Sequence, residues 1–228
     1  MRFSFVDLLF PARCAACGAL TQDARAICAP CFEAIPAERT LFCGECRARI
    51  PSASRICHPK FPCLMGAAAS YDDPRIRALI AALKFKGIER AAEPLGELLA
   101  HYALQLPLTF DSFVIVPVPL SARRARTRGF NQSALIARVV GEHLHIPLAE
   151  HILVRTRHTK PQSELKGAAL REKNVAGCFS AQSSSSPSGA SILLIDDVVT
   201  SGATMREAAR ALKAAGARRV VALAAAKA

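Results

Sequence analysis

Eight of the nine cysteines in this 228-residue chain fall within its first 63 residues, and they come in register. Cys14-Ala-Ala-Cys17, ten residues, then Cys28-Ala-Pro-Cys31 forms one C-x2-C-x10-C-x2-C string. Cys43-Gly-Glu-Cys46, ten residues, then Cys57 begins a second, offset from the first by 29 positions: 14 to 43, 17 to 46, 28 to 57. The eighth position should be 60, which is Lys60; Cys63 stands three residues later. This is a duplicated module with one altered corner. Two thiolates two residues apart bite one face of a tetrahedral zinc, and two such knuckles complete the site.

A disulfide framework is the rival reading, and it requires an oxidising compartment. The start, MRFSFVDLLFPARC, argues against a secretory leader, because Asp7 interrupts the apolar stretch and no small-residue cleavage site follows before Cys14. Thioredoxin-like redox chemistry fails for a different reason: the knuckles are repeated and no βαβ unit adjoins them. Zinc is therefore expected at Cys14, Cys17, Cys28 and Cys31. A second, looser site is expected at Cys43, Cys46, Cys57 and Cys63, with His58 as a substitute ligand and a cross-braced pairing of the knuckles as an alternative. One or two zinc ions with no open coordination position would be structural. A module of about 60 residues with few large apolar side chains needs them to fold.

The whole chain is 51% apolar and 21% charged, enough to bury a core. Its longest apolar stretches, around Phe113–Leu120 and Val220–Ala226, are too short to span a bilayer, so a cytoplasmic protein without a membrane span is expected. The reading divides it into a cysteine-rich module over 1–65 and an α/β domain over 66–228. In the second part, Ile76, Leu79, Ile80 and Leu83 predict one helix and Leu95, Leu98, Leu99 and Tyr102 another. Phe113–Val118 predicts a buried strand. Asn131–Leu144 predicts a helix capped by Asn131, with Leu135, Ile136, Val139, Val140 and Leu144 on one face. Ile152–Arg157 reads as a strand and Ser180–Ser191 as a polar loop. Ser191–Ile195, Met205–Ala215 and Arg219–Ala225 close the chain as strand, helix and strand, with Gly216 stopping the helix. Such alternation predicts a mainly parallel sheet covered on both faces.

The most informative stretch is Ile192-Leu-Leu-Ile-Asp-Asp-Val-Val-Thr-Ser-Gly-Ala-Thr204. Four apolar residues make a buried strand that delivers Asp196 and Asp197 to its C-terminal end, where open α/β sheets bind ligands. A hydroxyl-rich turn, Thr200-Ser201-Gly202-Ala203-Thr204, then enters a helix whose N-terminal amides and dipole form an anion cradle; Gly202 admits close backbone approach. Carboxylates beside such a cradle suit a ligand whose sugar hydroxyls lie near a phosphate. Charge agrees. The chain carries 30 Lys plus Arg against 18 Asp plus Glu, a net +12, and residues 120–178 alone contribute +7 of it, so the anion-seeking surface lies in the later part. Cys178 reads as a small buried apolar residue, and the six histidines share no ligand spacing.

LLIDDVVTSGAT resembles the phosphoribosyl-pyrophosphate (PRPP) signature of type I phosphoribosyltransferases. More narrowly, R-R-A-R-T-R-G-F-N-Q over residues 123–132, the later Gln162, Leu165, Arg171 and Asn174, and the paired N-terminal cysteines resemble the ComF/GntX family across essentially the whole chain. The likeness departs at the last cysteine pair, where family members often carry C-x-x-C. It implies a type I phosphoribosyltransferase-like parallel sheet flanked by helices, with a small N-terminal double zinc-ribbon module. Asp196 and Asp197 would bind the ribose 2′- and 3′-hydroxyls, and Thr200, Ser201, Gly202, Ala203 and Thr204 the 5′-phosphate. Arg123, Arg124 and Arg128 would meet the diphosphate, where guanidinium forks outperform lysine. Residues 158–174, with Lys160, Lys166 and Arg171, would correspond to a flap over the site. Mg²⁺ would accompany PRPP.

Three functional classes follow from the resemblance: a transferase acting on an unidentified acceptor, a competence protein handling incoming single-stranded DNA with other competence proteins, and a PRPP sensor without turnover. The basic surface permits DNA contact through phosphates. With 11 Phe, 2 Tyr and no Trp, however, no aromatic-rich basic strand offers bases a stacking platform.

Overall fold

The computed structural model describes residues 12–21, 24–43, 46, 48–50, 58, 63–157, 159, 167–181 and 188–228. Small side chains lie at the centre of the sheet. Strand β3, Leu64–Ser70, reads Leu-Met-Gly-Ala-Ala-Ala-Ser and is buried through its first six residues. Its lack of bulk lets a helix close directly onto it: a Cβ on Gly66 would sit 2.3 Å from the Tyr102 hydroxyl. β8, Arg219–Lys227, runs beside β3 in parallel and is also alanine-rich. β7, Ser191–Val199, is parallel to β8, and β4, Phe113–Pro117, is parallel to β7. Two short strands, β1 (Leu41–Phe42) and β2 (Arg49–Ile50), extend the far edge as an antiparallel hairpin. The six-stranded order is β2-β1-β3-β8-β7-β4. A separate antiparallel pair, β5 (Leu153–Arg155) and β6 (Phe179–Ala181), lies outside it.

Helices cover both faces, as strands buried on both sides demand. α1 is a single short turn in the ribbon, Ala29–Glu33. On one face pack α2 (Pro74–Phe85), α3 (Ala92–Leu104) and α5 (Gln132–Leu144). There Leu193 and Ile195 of β7 meet Leu79, Leu99 and Ile136 in one apolar cluster. On the other face, Ile192 and Leu194 meet Met205, Ala209 and Leu212 of α7, Ala203–Ala214. The alternation along β7 is the period-two pattern of a strand. Two further helices, α4 (Ala122–Arg128) and α6 (Ala168–Val175), are short and lie nearer the surface.

Caps fix where the helices begin. Asp73 accepts the Arg75 N–H at 2.8 Å ahead of Pro74 in the first turn of α2. Asn131 accepts the Ser133 N–H at 3.1 Å at the start of α5, the cap expected from sequence. The buried stripe of α5 differs from the expected one. Ile136, Ala137, Val140 and Gly141 face inward, whereas Leu135, Val139 and Leu144 are half-buried. Val139 nevertheless packs closely on α3, where a Cβ on Gly96 would fall 2.5 Å from Val139 Cβ. Cys178 is fully buried in the apolar cluster, as expected.

Besides the pairing of β1 with β3, polar contacts tie the cysteine-rich segment to this body. Arg25 pairs with Glu97 of α3 at 2.5 Å, the Glu38 N–H donates to Ala68 O at 2.8 Å, and the Tyr102 hydroxyl donates to Thr40 O at 2.8 Å. Its internal repeat is visible in the backbone. The Cys14 N–H donates to Ala19 O at 2.8 Å, and 29 residues later the Cys43 N–H donates to Ala48 O at 2.9 Å. The Arg13–Leu20 bridge likewise recurs as the Phe42–Arg49 pair.

Candidate functional site

β7 carries Asp196 and Asp197 beyond its apolar run to the end of the strand, and both are buried. The register Pro117 with Ile195 sets the end of β4 beside them. Asp196 Oδ1 accepts the Ser133 hydroxyl at 2.9 Å and the Asp197 N–H at 2.9 Å. Ser133 is held for that contact by Asn131, whose Nδ2 donates to Val118 O at 3.1 Å while its Oδ1 caps the helix. Lys84, in the last turn of α2, brings Nζ within 2.8 Å of Asp197 Oδ2. The two groups form a largely buried ion pair.

Burial first, and the negative charge of Asp197 second, push the Asp196 carboxyl up to about 7, against the pull of Lys84 and the two hydrogen bonds.

The turn after β7 enters the next helix through a glycine. Gly202 adopts φ +76°, in the left-handed region, and starts α7. Its carbonyl accepts the Arg206 N–H at 2.8 Å, and Ser201 Oγ accepts the Ala203 N–H at 3.4 Å. Arg206 is buried; its guanidinium donates to Ser201 O at 3.1 Å and pairs with Glu172 of α6. The floor is Met65 of β3, whose Cε would lie 2.9 Å from a Cβ at position 202. The paired carboxylates and the glycine turn thus stand together at one sheet edge.

The sulfurs of Cys14, Cys17, Cys28 and Cys31 all lie within 4.8 Å of one another. Cys17 Sγ and Cys28 Sγ are 3.7 Å apart. Thiolates about 2.3 Å from a tetrahedral zinc stand about 3.8 Å from each other, so the donor set fits the ion. The Cys17 N–H donates to Cys14 Sγ at 3.5 Å, the orienting contact of a knuckle. Burial opposes ionisation of Cys14, yet the amides of Cys17, Cys28 and Ala16 draw it down to about 6. The Cys28 side chain beside it pushes Cys31 up to about 12. Four thiols this close hold little negative charge without a cation. In the second repeat, Cys43, Cys46 and His58 form the group. Cys63 lies apart from it, in the apolar cluster with Phe42 and Met65, where burial pushes its thiol up to about 12. Cys57 falls outside the described residues.

Residues 129–227 match the phosphoribosyl transferase domain family and residues 5–59 the double zinc ribbon domain family. The DNA utilization protein YhgH of Escherichia coli K12 is 32% identical over 208 residues, covering 90% of this chain and 85% of that protein. Competence protein F of Haemophilus influenzae is 29% identical over 91% of this chain and 93% of its own. The chain belongs to the ComF/GntX family. Competence protein ComFC of Bacillus subtilis, 38% identical over 100 residues, matches 44% of this ComF/GntX chain and 38% of its own length.

Within this ComF/GntX site, the arginines are less uniform than the string R-R-A-R-T-R suggests. They form α4 rather than an open turn, ended by Gly129 at φ +82°. Arg128 donates to Gln132 Oε1 at 2.6 Å, and Arg124 donates to Thr159 O at 3.3 Å; Arg123 is exposed. Lys160 and Lys166 of the expected flap lie outside the described residues, while Arg171 lies on α6. Lys84 and Ser133 were missed by sequence reasoning. A lysine at a helix C-terminus and a serine in a first turn are ordinary placements, and no local signal marks their reach to the carboxylates.

Proposed function

We propose that this ComF/GntX chain binds PRPP at the C-terminal edge of β7 and transfers its phosphoribosyl group to an acceptor, releasing pyrophosphate, in the service of competence and the use of incoming single-stranded DNA. The observation that carries the reading is the buried Asp196–Asp197 pair next to the left-handed Gly202 turn. The family supports the ligand class, and the relatives' names support the DNA context. The catalytic part is the domain over 66–228, with the zinc module over 1–65 attached to its edge.

In this mechanism Asp196 and Asp197 hold the ribose diol and favour the positive charge that grows at C1 as the leaving group departs. Lys84 pairs with Asp197 at 2.8 Å and positions it for that task. The amides and hydroxyls of residues 200–204 hold the 5′-phosphate, and Arg123, Arg124 and Arg128 meet the diphosphate from α4. Mg²⁺ bound with the diphosphate would neutralise charge on the leaving pyrophosphate.

The test is calorimetry with PRPP with and without Mg²⁺, followed by a pyrophosphate assay across a nucleobase panel, with and without single-stranded DNA. Asp197→Asn should weaken PRPP binding by about tenfold or more, the worth of a charge-assisted hydrogen bond. Unchanged affinity would overturn the reading. Binding without pyrophosphate release for any acceptor would favour a sensor. DNA affinity that falls steeply with salt, without PRPP binding, would favour the second reading, for which the net +12 and the relatives named for DNA use and competence speak.

A further inference from the structure

Arg206 is a buried charge beside the site, and the proposed chemistry gives it no role. It is 6% exposed and is the fourth residue of α7, close to the positive end of the helix dipole, where a cation is disfavoured. A guanidinium in such a place is costly unless acceptors meet it. Two of them are consecutive carbonyls of the turn. The Arg206 N–H donates to Gly202 O at 2.8 Å and its guanidinium donates to Ser201 O at 3.1 Å. Within a trans peptide the C=O and the following N–H point in opposite directions. Pinning Ser201 O on the guanidinium therefore turns the Gly202 N–H away from Arg206, and pinning Gly202 O does the same for the Ala203 N–H.

Arg206 also reaches α6. Val175 is the one buried residue among the eight of that helix, so little apolar packing holds it. Polar contacts to α7 supply what packing does not. The Glu172 carboxylate, on a side chain 53% exposed, pairs with Arg206, and the next residue, Glu207, accepts the Gly177 N–H at 2.7 Å through Oε1. Two adjacent residues of α7 thus grip α6 and the bend that follows it. We propose, resting on the phosphate site assigned above, that Arg206 is a positioning residue: it sets the amides of Gly202 and Ala203 for an anion and, through Glu172, couples their order to the docking of α6.

Two readouts on the full chain test this, and only one needs a ligand. The first is amide hydrogen exchange of the ligand-free protein. Arg206→Met removes the charge and keeps the bulk; it should lower protection of the residue-206, Ala176 and Gly177 amides by about tenfold, and Arg206→Lys by less. Glu172→Ala, at an exposed position that empties no core, should lower protection of the residue-206 amide severalfold on the other helix. It should add nothing in the Arg206→Met background. The second readout is calorimetry with ribose 5-phosphate and with inorganic pyrophosphate. Arg206→Met should weaken ribose 5-phosphate by about tenfold and leave pyrophosphate unchanged, and Arg206→Lys should recover part of the loss. A parent chain that binds neither PRPP nor ribose 5-phosphate would overturn the phosphate site and the anion role of Arg206 with it, while exchange would still decide the coupling. The proposal falls if Glu172→Ala leaves the residue-206 amide as protected as in the parent, if Arg206→Met loosens α7 uniformly to Ala214, or if Arg206→Met weakens pyrophosphate as much as ribose 5-phosphate.

Discussion

Between Ala12 and Ile50 the large side chains fully withdrawn from solvent are few, among them Ile27, Ile35, Leu41 and Phe42. Strand β7 alone buries Ile192, Leu193, Leu194 and Ile195 in a row, with helices on both sides. The ribbon is organised around sulfur and the α/β domain around hydrocarbon. Metal binding contributes free energy that is large, local and chemically removable, on the order of 10 kcal/mol for a structural zinc. Apolar burial contributes about 1.5–3 kcal/mol per large side chain, spread over many contacts and insensitive to chelators. The two halves of one molecule therefore fail under different insults.

The largest expected effect follows directly. Chelation of zinc should expose the amides of residues 12–50 to hydrogen exchange while the amides of β7 and β8 stay protected; simultaneous loss of both would break the contrast. Next, Leu193→Ala should cost about 2–5 kcal/mol in urea unfolding of the α/β domain, with the zinc content of the folded protein unchanged. A third test uses pH. Because the folded state holds the Asp196 proton up to about 7 while an unfolded aspartate releases it near 4, the folded chain binds more protons between those values. Stability from this group thus falls as pH rises across that window, by on the order of a few kcal/mol, and levels off above it. Zinc loss at low pH acts in the opposite direction, so the measurement is the difference in unfolding free energy between the parent and Asp196→Asn, which should fall with rising pH across that window if Asp196 is its source. The smallest effect is Gly202→Ala. A left-handed turn forced on alanine costs about 1–2 kcal/mol, and the contact with Met65 adds to it; thermal denaturation unchanged from the parent would remove the case for a strained turn.

Legibility in the sequence followed the same division. The helices were readable where large apolar residues recur every three or four positions, as at Ile76, Leu79, Ile80 and Leu83, because that spacing is the face that packs. β3 was not, since Leu-Met-Gly-Ala-Ala-Ala-Ser carries no β-branched residue; its burial comes from the close approach of Tyr102, a partner distant in sequence. α4 carries no large apolar residue whose periodicity could mark it, yet Gly129 supplies the left-handed stop of a helix. At the candidate site, the Asp196–Asp197 pair and the Gly202 turn lie within one continuous stretch and could be read together. Lys84 and Ser133 reach the same carboxylates from other helices, and only the folding of α2 and α5 against β7 reveals them. The ribbon repeat was legible as a period of 29, while the grouping of His58 with Cys43 and Cys46 needed coordinates.

Met65 pairs across strands with Phe42, the residue before Cys43, and its methyl group lies under Gly202. The β1–β2 hairpin and the glycine turn thus both abut a single residue. Chimeras that join this ribbon to another member's α/β domain should tolerate the exchange only when positions 65 and 202 travel together. Hybrids that separate the two would misfit at the seam, however well each half folds by itself.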